Sequence, residues 1–280
     1  MNNYALFDLH SHLHDTSFDE DRESIIEQMK SYGVGTITIG TDLKESKKAL
    51  ALSEKHEHIY ASTGLHPADN VTEEFAYNEF KKVAISPRVV AIGECGLDYF
   101  YLEKFFEKDK AKHKITRTKE EEKDRQKHIF KEQIRLAVDL RKPLMLHGRP
   151  STGSMDAYED MLTILEEEKK KHGERLKGNA HFFVGNIEIA KRFVDIGFSM
   201  SFSGVITFTH DYDDVVRYIP LDLIHAETDS PYVAPSPYRG QRNNPLYVQE
   251  VVAKIAVLRQ EPLEEVRRQL MLNARVIFRV

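Results

Sequence analysis

The chain has 280 residues, 41% of them hydrophobic and 30% charged, and its net charge is −5 at pH 7. This composition is typical of a globular protein; it excludes the disordered, collagen-like and coiled-coil classes, and it excludes a global positive field that attracts nucleic acid or anionic lipid. The single cysteine excludes an intrachain disulfide, and the absence of a signal-peptide pattern or an apolar run of about 18 residues predicts a cytoplasmic protein that does not span a membrane.

Short apolar runs alternate along the chain with longer segments of helical period, which is the pattern of βα units on a parallel sheet. The predicted strands are Tyr4–His10, Thr36–Gly40, Ile59–His66, Val89–Asp98, Pro143–Arg149, Asn179–Phe183, Phe198–Gly204 and Leu223–Asp229. The predicted helices are Asp21–Tyr32, Leu43–Lys55, Glu73–Val83, Glu120–Leu140, Met155–Lys171, Ile187–Ile196, Asp213–Tyr218 and Pro245–Arg259, with a further helix from Leu263. Two predicted helix starts match the S/T-x-x-E capping box, at Ser17 with Glu20 and at Thr118 with Glu121.

The spacing of these units predicts a closed barrel. Seven repeats separate His10, at the end of the first strand, from Asp229, at the end of the eighth. Each repeat therefore takes about 31 residues, which suits one strand, one helix and two short loops. Eight such units predict an α/β fold with a single (β/α)8 TIM barrel over residues 1–280. The alternative is an open doubly wound sheet, but Leu9–Leu13 reads LHSHL where that fold carries a glycine-rich turn.

A charged insertion at about 103–125 follows the fourth predicted strand. Its first part, residues 103–119, contains seven Lys or Arg and three Asp or Glu, so it is basic within an acidic protein. One interpretation is a solvated, partly disordered loop. The other is an arm that holds a phosphate backbone on the active-site face of the barrel.

Two histidines end the first apolar run, in the sequence FDLHSHL. Because residues i and i+2 of a strand face the same way, the imidazoles of His10 and His12 can converge on one metal ion. A structural pair is the alternative, although two neutral ring nitrogens are hard to satisfy in an apolar barrel interior. We interpret both histidines as candidate metal ligands.

Four other predicted strands also end on, or near, a histidine or a carboxylate. In a parallel barrel the carboxyl ends of all strands lie on one face, where active sites are built. The full set contains four imidazoles and two carboxylates, which is too many for one tetrahedral site but suits two metals that share a bridging carboxylate. The predicted metal ligands are His10, His12, Glu94, His147, His181 and Asp229.

A spaced set of motifs runs in order from residue 7 to residue 245: FDLHSHL, GLHP, IGECGLDY, PLMLHGR, AHFFVG, FSMSFSG, ETDSPY and RGQRNNP. This set resembles the TatD family of metal-dependent hydrolases. The resemblance implies a TIM barrel, two divalent cations and hydrolysis, with deoxyribonuclease activity the usual assignment. It also implies one cation on His10, His12 and Asp229, a second on His147 and His181, and a bridge through Glu94.

The sequence departs from the family pattern at three places. Pro150 follows the arginine of the PLMLHGR motif where the family usually has an acid, and Phe182 to Val184 lack the common small residue and hydroxyl. Neither departure removes a candidate ligand. The insertion at 103–125 is longer than the usual connection, which concerns the range of substrates more than the chemistry.

Several other residues are candidates for supporting roles. The resemblance places His66 and Arg239 near the substrate phosphate, with Arg149 and Asn243 as weaker candidates; a loop-anchoring hydrogen bond is the alternative for each. Cys95 is interpreted as a buried structural residue, because it adjoins Glu94 in a strand and points the other way.

Glu227 lies two residues before Asp229, so strand alternation turns it inward and deeper in the barrel. A carboxylate there needs a partner, and the free ring nitrogen of a ligating histidine is the natural one. A buried pair with His225 is the alternative.

These features predict a divalent-metal-dependent nuclease. Its expected substrate is DNA, which it would cleave as an exonuclease. Glu94 and Asp229 are the predicted catalytic residues, with Asp229 orienting or deprotonating the attacking water. Zn²⁺, Mn²⁺, Mg²⁺, Fe²⁺, Co²⁺ and Ni²⁺ all suit the two predicted sites, and no obligate protein partner is expected. Two alternatives stay open: a deacylase or amidohydrolase acting on aminoacyl-tRNA or a small amide, and a nucleic-acid-binding protein without turnover.

Overall fold

A computed structural model describes residues 4–69 and 71–280. Within these ranges eight strands pair in the order β1 to β8, each parallel to the next, and helices alternate with them. The strands are β1 (Leu6–Ser11), β2 (Val34–Thr38), β3 (Ile59–Thr63), β4 (Val89–Asp98), β5 (Leu144–Arg149), β6 (Gly178–Ala180), β7 (Ser199–Phe202) and β8 (Ile224–Ala226). The helices are α1 (Arg22–Tyr32), α2 (Leu43–Lys55), α3 (Tyr77–Ala84), α4 (Tyr99–Lys104), α5 (Phe106–His113), α6 (Lys119–Leu140), α7 (Asp156–His172), α8 (Ile187–Asp195), α9 (Asp213–Tyr218), α10 (Val248–Arg259) and α11 (Leu263–Phe278). The predicted TIM barrel is confirmed.

The barrel closes where the first strand meets the last. The backbone N–H of Asp229 donates to the carbonyl of His10 (2.9 Å), and the N–H of His12 donates to the carbonyl of Ser230 (2.7 Å). Below them the buried carboxylate of Asp8 accepts from the N–H and the hydroxyl of Thr228, both at 2.7 Å. These bonds form the closing seam of the barrel, and residues on its two sides become neighbours although about 220 positions separate them.

Several predicted strands extend beyond the observed ladders. The predicted strand ending at Asp229 stops at Ala226, and the predicted strand ending at Phe183 stops at Ala180. In both cases the polar residue that suggested the strand end lies just past the ladder, where the chain turns toward the barrel mouth. The regular ladders end there, although single backbone bonds continue: the N–H of Glu227 donates to the carbonyl of Phe202 (3.0 Å) and the N–H of His181 to the carbonyl of Leu146 (3.0 Å).

One of the two predicted capping boxes is present. Thr118 and Glu121 form it reciprocally at the start of α6. The box predicted at Ser17 and Glu20 is wrong, because the side chain of Asp15 instead caps a short 3-10 turn there, accepting from the N–H of Ser17 at 2.7 Å.

The charged insertion is folded, so its interpretation as a partly disordered loop is wrong. It forms α4, α5 and the beginning of α6. The side chain of Phe106 is fully buried, and the hydroxyl of Tyr101 donates to Asp109 at 2.9 Å. Arg117 bonds to the buried carboxylate of Glu122 and to the carbonyl of Val71. Apolar anchors and ion pairs therefore hold the segment against the barrel despite its charge.

The last helix covers the amino ends of the strands. Met271, Ala274 and Phe278 of α11 join a buried cluster with side chains from β1, β3, β4 and β5 and from the end of β2. Because β1 and β5 stand opposite each other in the barrel, this cluster fills the lumen at that end. The open cavity is consequently confined to the other end. Within the described residues, every helix is too short or too polar to cross a membrane.

His225 faces this packed floor and is expected to make the protein acid-labile. Its ring lies 6.0 Å from the ring of Phe278, its Nε2 lacks a hydrogen-bond partner among the described residues, and burial lowers the pKa of His225 from 6.5 to about 3. The unfolded chain takes up a proton below about pH 6.5 and the folded chain does not, so stability falls as the pH drops from 6.5 toward 3. In urea titrations across this range, His225→Leu should show a shallower loss of stability than the wild type. An identical slope would contradict this account.

Candidate metal centre

The carboxyl ends of the strands surround a cavity of about 700 Å³. It lies at the end of the barrel away from α11, where the sequence places the candidate ligands. Its lining is rich in imidazoles and carboxylates, whereas the floor of the barrel is apolar. The polar and apolar ends of the barrel are thus separated along its axis.

The first group of candidate ligands sits on the closing seam. The Nε2 atoms of His10 and His12 lie 3.3 Å apart. The Oδ1 atom of Asp229 lies 3.6 Å from His10 Nε2 and 3.4 Å from His12 Nε2. The backbone bonds of the seam bring this carboxylate, which follows β8, to the histidines of β1. Three donor atoms therefore converge on one point.

Glu94 lies between this group and a second one. Its Oε2 is 3.5 Å from His10 Nε2, while its Oε1 is 2.8 Å from both His147 Nδ1 and His181 Nε2. Burial opposes the charge on Glu94, but the surrounding histidines outweigh burial and hold the pKa of its carboxyl well below the usual range. One carboxylate thus presents an oxygen to each group, as a bridging ligand does.

The backbone around Glu94 depends on two glycines. Gly93 and Gly96 have φ values of 141° and 147°, a region that L side chains rarely adopt. A Cβ atom at either position would collide with a backbone oxygen of β5. This close approach comes with an irregular register between Ile92 and Cys95 in the β4–β5 ladder. Cys95 itself is buried as predicted, and burial raises the pKa of its thiol.

A carboxylate stands behind each histidine of the second group. Asp98 Oδ2 lies 3.1 Å from His147 Nε2, and Glu227 Oε1 lies 3.2 Å from His181 Nδ1. Each histidine therefore turns one ring nitrogen to Glu94 and the other to an outer carboxylate, an arrangement that fixes the tautomer and the ring orientation of metal ligands. His225, the other partner considered for Glu227, faces Phe278 instead.

We expect Glu227→Gln to weaken metal binding more than folding. Glu227 also accepts from the N–H of Phe182 (2.7 Å) and from the hydroxyl of Ser201, so glutamine keeps the shape of this buried network. It removes the charge that orients His181, and loss of such support typically costs roughly 10- to 100-fold in metal affinity. Calorimetric titration with Zn²⁺ measures the effect. An unchanged titration curve with a lowered melting temperature would show that Glu227 serves only the core.

The donor set fits divalent cations. Among the described residues three groups have candidate ligand atoms that all lie within 4.8 Å of one another: His10, His181 and Asp229; His10, His12 and Glu94; and His66, Glu94 and His147. Burial lowers the pKa of His147, but hydrogen bonds to Asp98 and Glu94 outweigh burial and raise it to about 9. Burial also lowers the pKa of His181, but the charges of Glu94 and Glu227 outweigh burial and raise it. The site therefore stabilises positive charge, which is what a metal ion held by these ligands would supply.

Two of the four predicted substrate-binding residues line the cavity. His66 approaches Glu94 with its Nε2 at 3.7 Å from Oε1, and its Nδ1 accepts from the backbone N–H groups of Ala68 (3.2 Å) and Asp69 (3.1 Å). The Oδ1 of Asp69 lies 3.0 Å from the same Nδ1, so Nε2 is the ring nitrogen that faces Glu94 and the cavity. Arg149 also lines the cavity, with its guanidinium 4.0 Å from the ring centroid of Phe100.

The other two have different surroundings. The guanidinium of Arg239 lies 4.0 Å from the ring centroid of Phe208 and donates to the carbonyl of Ala234 at 2.7 Å, and it is not part of the cavity lining. Asn243 is fully buried, and its amide donates to the carbonyls of Thr228 and Tyr232. The geometry therefore gives Asn243 a loop-anchoring role instead of a contact with substrate, and it does not bring Arg239 to the site.

Asp98 and His14 are among the polar residues of the cavity that were not predicted from the sequence. Asp98 ends β4, so its position at the carboxyl end of a strand indicates it as clearly as the other strand-end residues. His14 is buried, and its Nδ1 bonds to the hydroxyl of Thr38 at 2.8 Å. No sequence pattern indicates that contact, because it depends on how the loop after β1 folds back onto β2.

Comparisons with known proteins agree over nearly the whole chain. Residues 7–279 match the family model described as TatD related DNase. The uncharacterized metal-dependent hydrolase YabD of Bacillus subtilis is 36% identical over 281 residues, covering 98% of this chain and 99% of that protein. YcfH of Escherichia coli, described in the same words, is 32% identical over 266 residues, covering 93% and 90%. The crystal structure of YjjV, a TatD homologue from Escherichia coli, superposes with a TM-score of 0.83 at 26% identity, covering 99% and 98%.

Proposed function

Because the chain belongs to the TatD family of metal-dependent hydrolases, we propose that it is a cytoplasmic nuclease that hydrolyses phosphodiester bonds, in DNA above all, from a chain end. The observation that carries the proposal is the position of Glu94, whose Oε2 faces His10 and whose Oε1 faces His147 and His181. Such a bridge suits a pair of cations, and paired cations are characteristic of enzymes that transfer phosphoryl groups.

The candidate ligands and the other cavity residues have different proposed roles. His10, His12 and Asp229 would hold one cation, His147 and His181 the other, and Glu94 both. Cations held there would supply Lewis acidity, which lowers the pKa of a water molecule and polarises a phosphoryl oxygen. Asp229 is the carboxylate on the open side of the first group, so it orients the attacking water and accepts its proton. His66 donates from Nε2 to a phosphate oxygen, and Arg149 holds a second oxygen by charge.

Two features favour a nucleic acid over a small ester. Arg149 and the basic helix α5 both lie beyond strands β4 and β5, on the face where the cavity opens. Lys108, Lys112 and Lys114 are exposed along this segment and so are available to a phosphate backbone. Contacts of this kind hold a backbone without reading sequence.

The proposal is tested with the metal-loaded protein on end-labelled single- and double-stranded DNA, RNA and aminoacyl-tRNA, with the products separated by size. We expect DNA to shorten from one end, chelation to stop the reaction and added Mn²⁺ or Mg²⁺ to restore it. Nuclease activity that survives complete removal of metal would contradict the proposal. Release of amino acid from aminoacyl-tRNA with all nucleic acid chains left intact would identify a deacylase instead.

The lysines of the insertion give a separate prediction. Deleting the segment would remove the buried Phe106 from the core, so the test replaces Lys108, Lys112 and Lys114 by glutamine. If they follow phosphates, KM for long oligonucleotides rises and the salt dependence flattens, by about 0.7 in logarithmic slope for each lost contact with a single strand. Cleavage of a small activated phosphodiester should not change. The matched control replaces the exposed lysines Lys30, Lys47 and Lys191 on α1, α2 and α8. Equal effects of both triple variants would assign the insertion a structural role.

A further inference from the structure

Two exposed aromatic side chains line the cavity, Phe105 and Tyr232, and Tyr232 is the one that contacts a candidate ligand. Tyr232 lines the cavity, yet 55% of its surface is accessible. Its ring meets the ring of His12 edge-on, with centroids 5.8 Å apart and an interplanar angle of 72°. An aromatic ring left uncovered within a ligand cavity is a surface on which a flat apolar group can pack.

The loop that carries Tyr232 is fixed in place. The amide of Asn243 donates to the carbonyl of Tyr232 at 2.6 Å, and the N–H of Tyr232 donates to the carbonyl of Asp229 at 2.9 Å. The next residue, Val233, has a φ of 44°, a left-handed conformation that is unfavourable for a β-branched side chain. Such conformations persist only where surrounding contacts enforce them, and they cluster at ligand clamps. The ring is therefore held ready for a ligand.

The charges around the cavity indicate what kind of group fits there. Tyr232 follows β8 and Asp15 follows β1, so they stand on adjoining parts of the wall, and Asp15 lines the cavity too. Arg149 ends β5, on the far side of the barrel from β1. A phosphate is repelled by Asp15 and attracted by Arg149. The wall at Tyr232 thus suits a neutral ring, while the backbone of a polyanion is favoured on the opposite wall.

We propose that Tyr232 is the stacking platform for a nucleobase, that of the nucleotide whose phosphate lies at the candidate ligands. This inference rests on the proposed nuclease function and adds to it the residue that binds the base. Phe182, which follows the ligand His181 and also lines the cavity, supplies a further apolar surface. Since every base has a π face, stacking on Tyr232 provides affinity and alignment without sequence preference.

The test uses two single-stranded oligonucleotides that differ only at the nucleotide beside the cleaved bond, which carries either a normal base or an abasic tetrahydrofuran. Stacking on an aromatic side chain predicts that wild-type kcat/KM is roughly 5- to 150-fold higher for the intact substrate. Tyr232→Phe keeps the ring and should keep this ratio, whereas Tyr232→Ala should bring it close to one. Tyr218→Ala removes a comparably exposed tyrosine from α9, outside the cavity. This control variant should keep the wild-type ratio of kcat/KM between the two substrates.

A binding measurement gives an independent readout. With 2-aminopurine at the same nucleotide, we expect its fluorescence to be quenched on binding to the slow variant Asp229→Asn, and the quenching to disappear when Tyr232→Ala is added. Equal wild-type rates on the intact and abasic substrates, or an equal loss on both in Tyr232→Ala, would overturn the stacking role while leaving the nuclease function intact. Failure of the metal-loaded wild type to cleave any oligonucleotide would instead refute the nuclease function, and the base site with it.

Discussion

Glu94→Ala is expected to abolish hydrolysis while the barrel stays folded. Glu94 is the carboxylate that presents one oxygen to His10 and the other to His147 and His181, so its removal takes away the ligand that both proposed cation sites would share. Cations contribute several kcal/mol of transition-state stabilisation, which corresponds to a loss of about 10³-fold or more in kcat. Metal analysis after gel filtration should find fewer than two cations per chain.

The fold should tolerate this change because the core lies elsewhere. The buried cluster at the barrel floor and the helix layer contain none of the Glu94 contacts. The circular dichroism spectrum should therefore match that of Glu188→Ala, an exposed glutamate on α8 that serves as the control. A Glu94→Ala protein that retains two cations and cleaves at the wild-type rate would refute the bridging role.

Asp229→Asn is expected to separate catalysis from metal binding. Asparagine has the same shape and tolerates the left-handed backbone at this position, where φ is 54°. It keeps an oxygen toward His10 and His12 but is a poor proton acceptor, and loss of a general base typically costs roughly 10²- to 10⁴-fold in rate. We expect kcat to fall within that range while metal affinity changes much less.

The comparison variant for this position is Asp229→Ala, which removes the ligand oxygen and the base together. Its metal affinity should fall well below that of Asp229→Asn. If Asp229→Asn instead loses metal and activity in parallel, Asp229 acts as a ligand alone and another group accepts the proton. Equilibrium metal titration and single-turnover cleavage on the same preparations distinguish the two results.

The sequence predicts the fold and the convergence of the candidate ligands for the same reason. A parallel barrel gathers the carboxyl ends of its strands on one face, so strand spacing alone brings Glu94 and His147 together. Glu227 was predicted in the same way, because alternation along a strand fixes which side chains turn inward. These inferences need only period and order, and both are visible in a sequence.

Loop residues could not be assigned in this way. Asn243 and Arg239 belong to one motif, but the first is buried under the loop after β8 and the second stacks on Phe208. A polar residue in a loop turns inward where backbone carbonyls can accept its hydrogen bonds. The positions of those carbonyls cannot be read from the periodicity of a sequence. The folded insertion is a similar case. Its charge pattern suggested a loop, but burial of Phe106 anchors the segment, which is helical.

The closing seam bears on when the protein becomes active during its synthesis. His10 and His12 leave the ribosome early, but the carboxylate of Asp229 and the backbone bonds that fix its place come about 220 residues later. The floor of the barrel is completed later still, because it includes Met271 and Phe278 of α11. A growing chain therefore holds only part of its donor set until translation is almost complete. Hydrolytic activity therefore cannot precede the finished barrel.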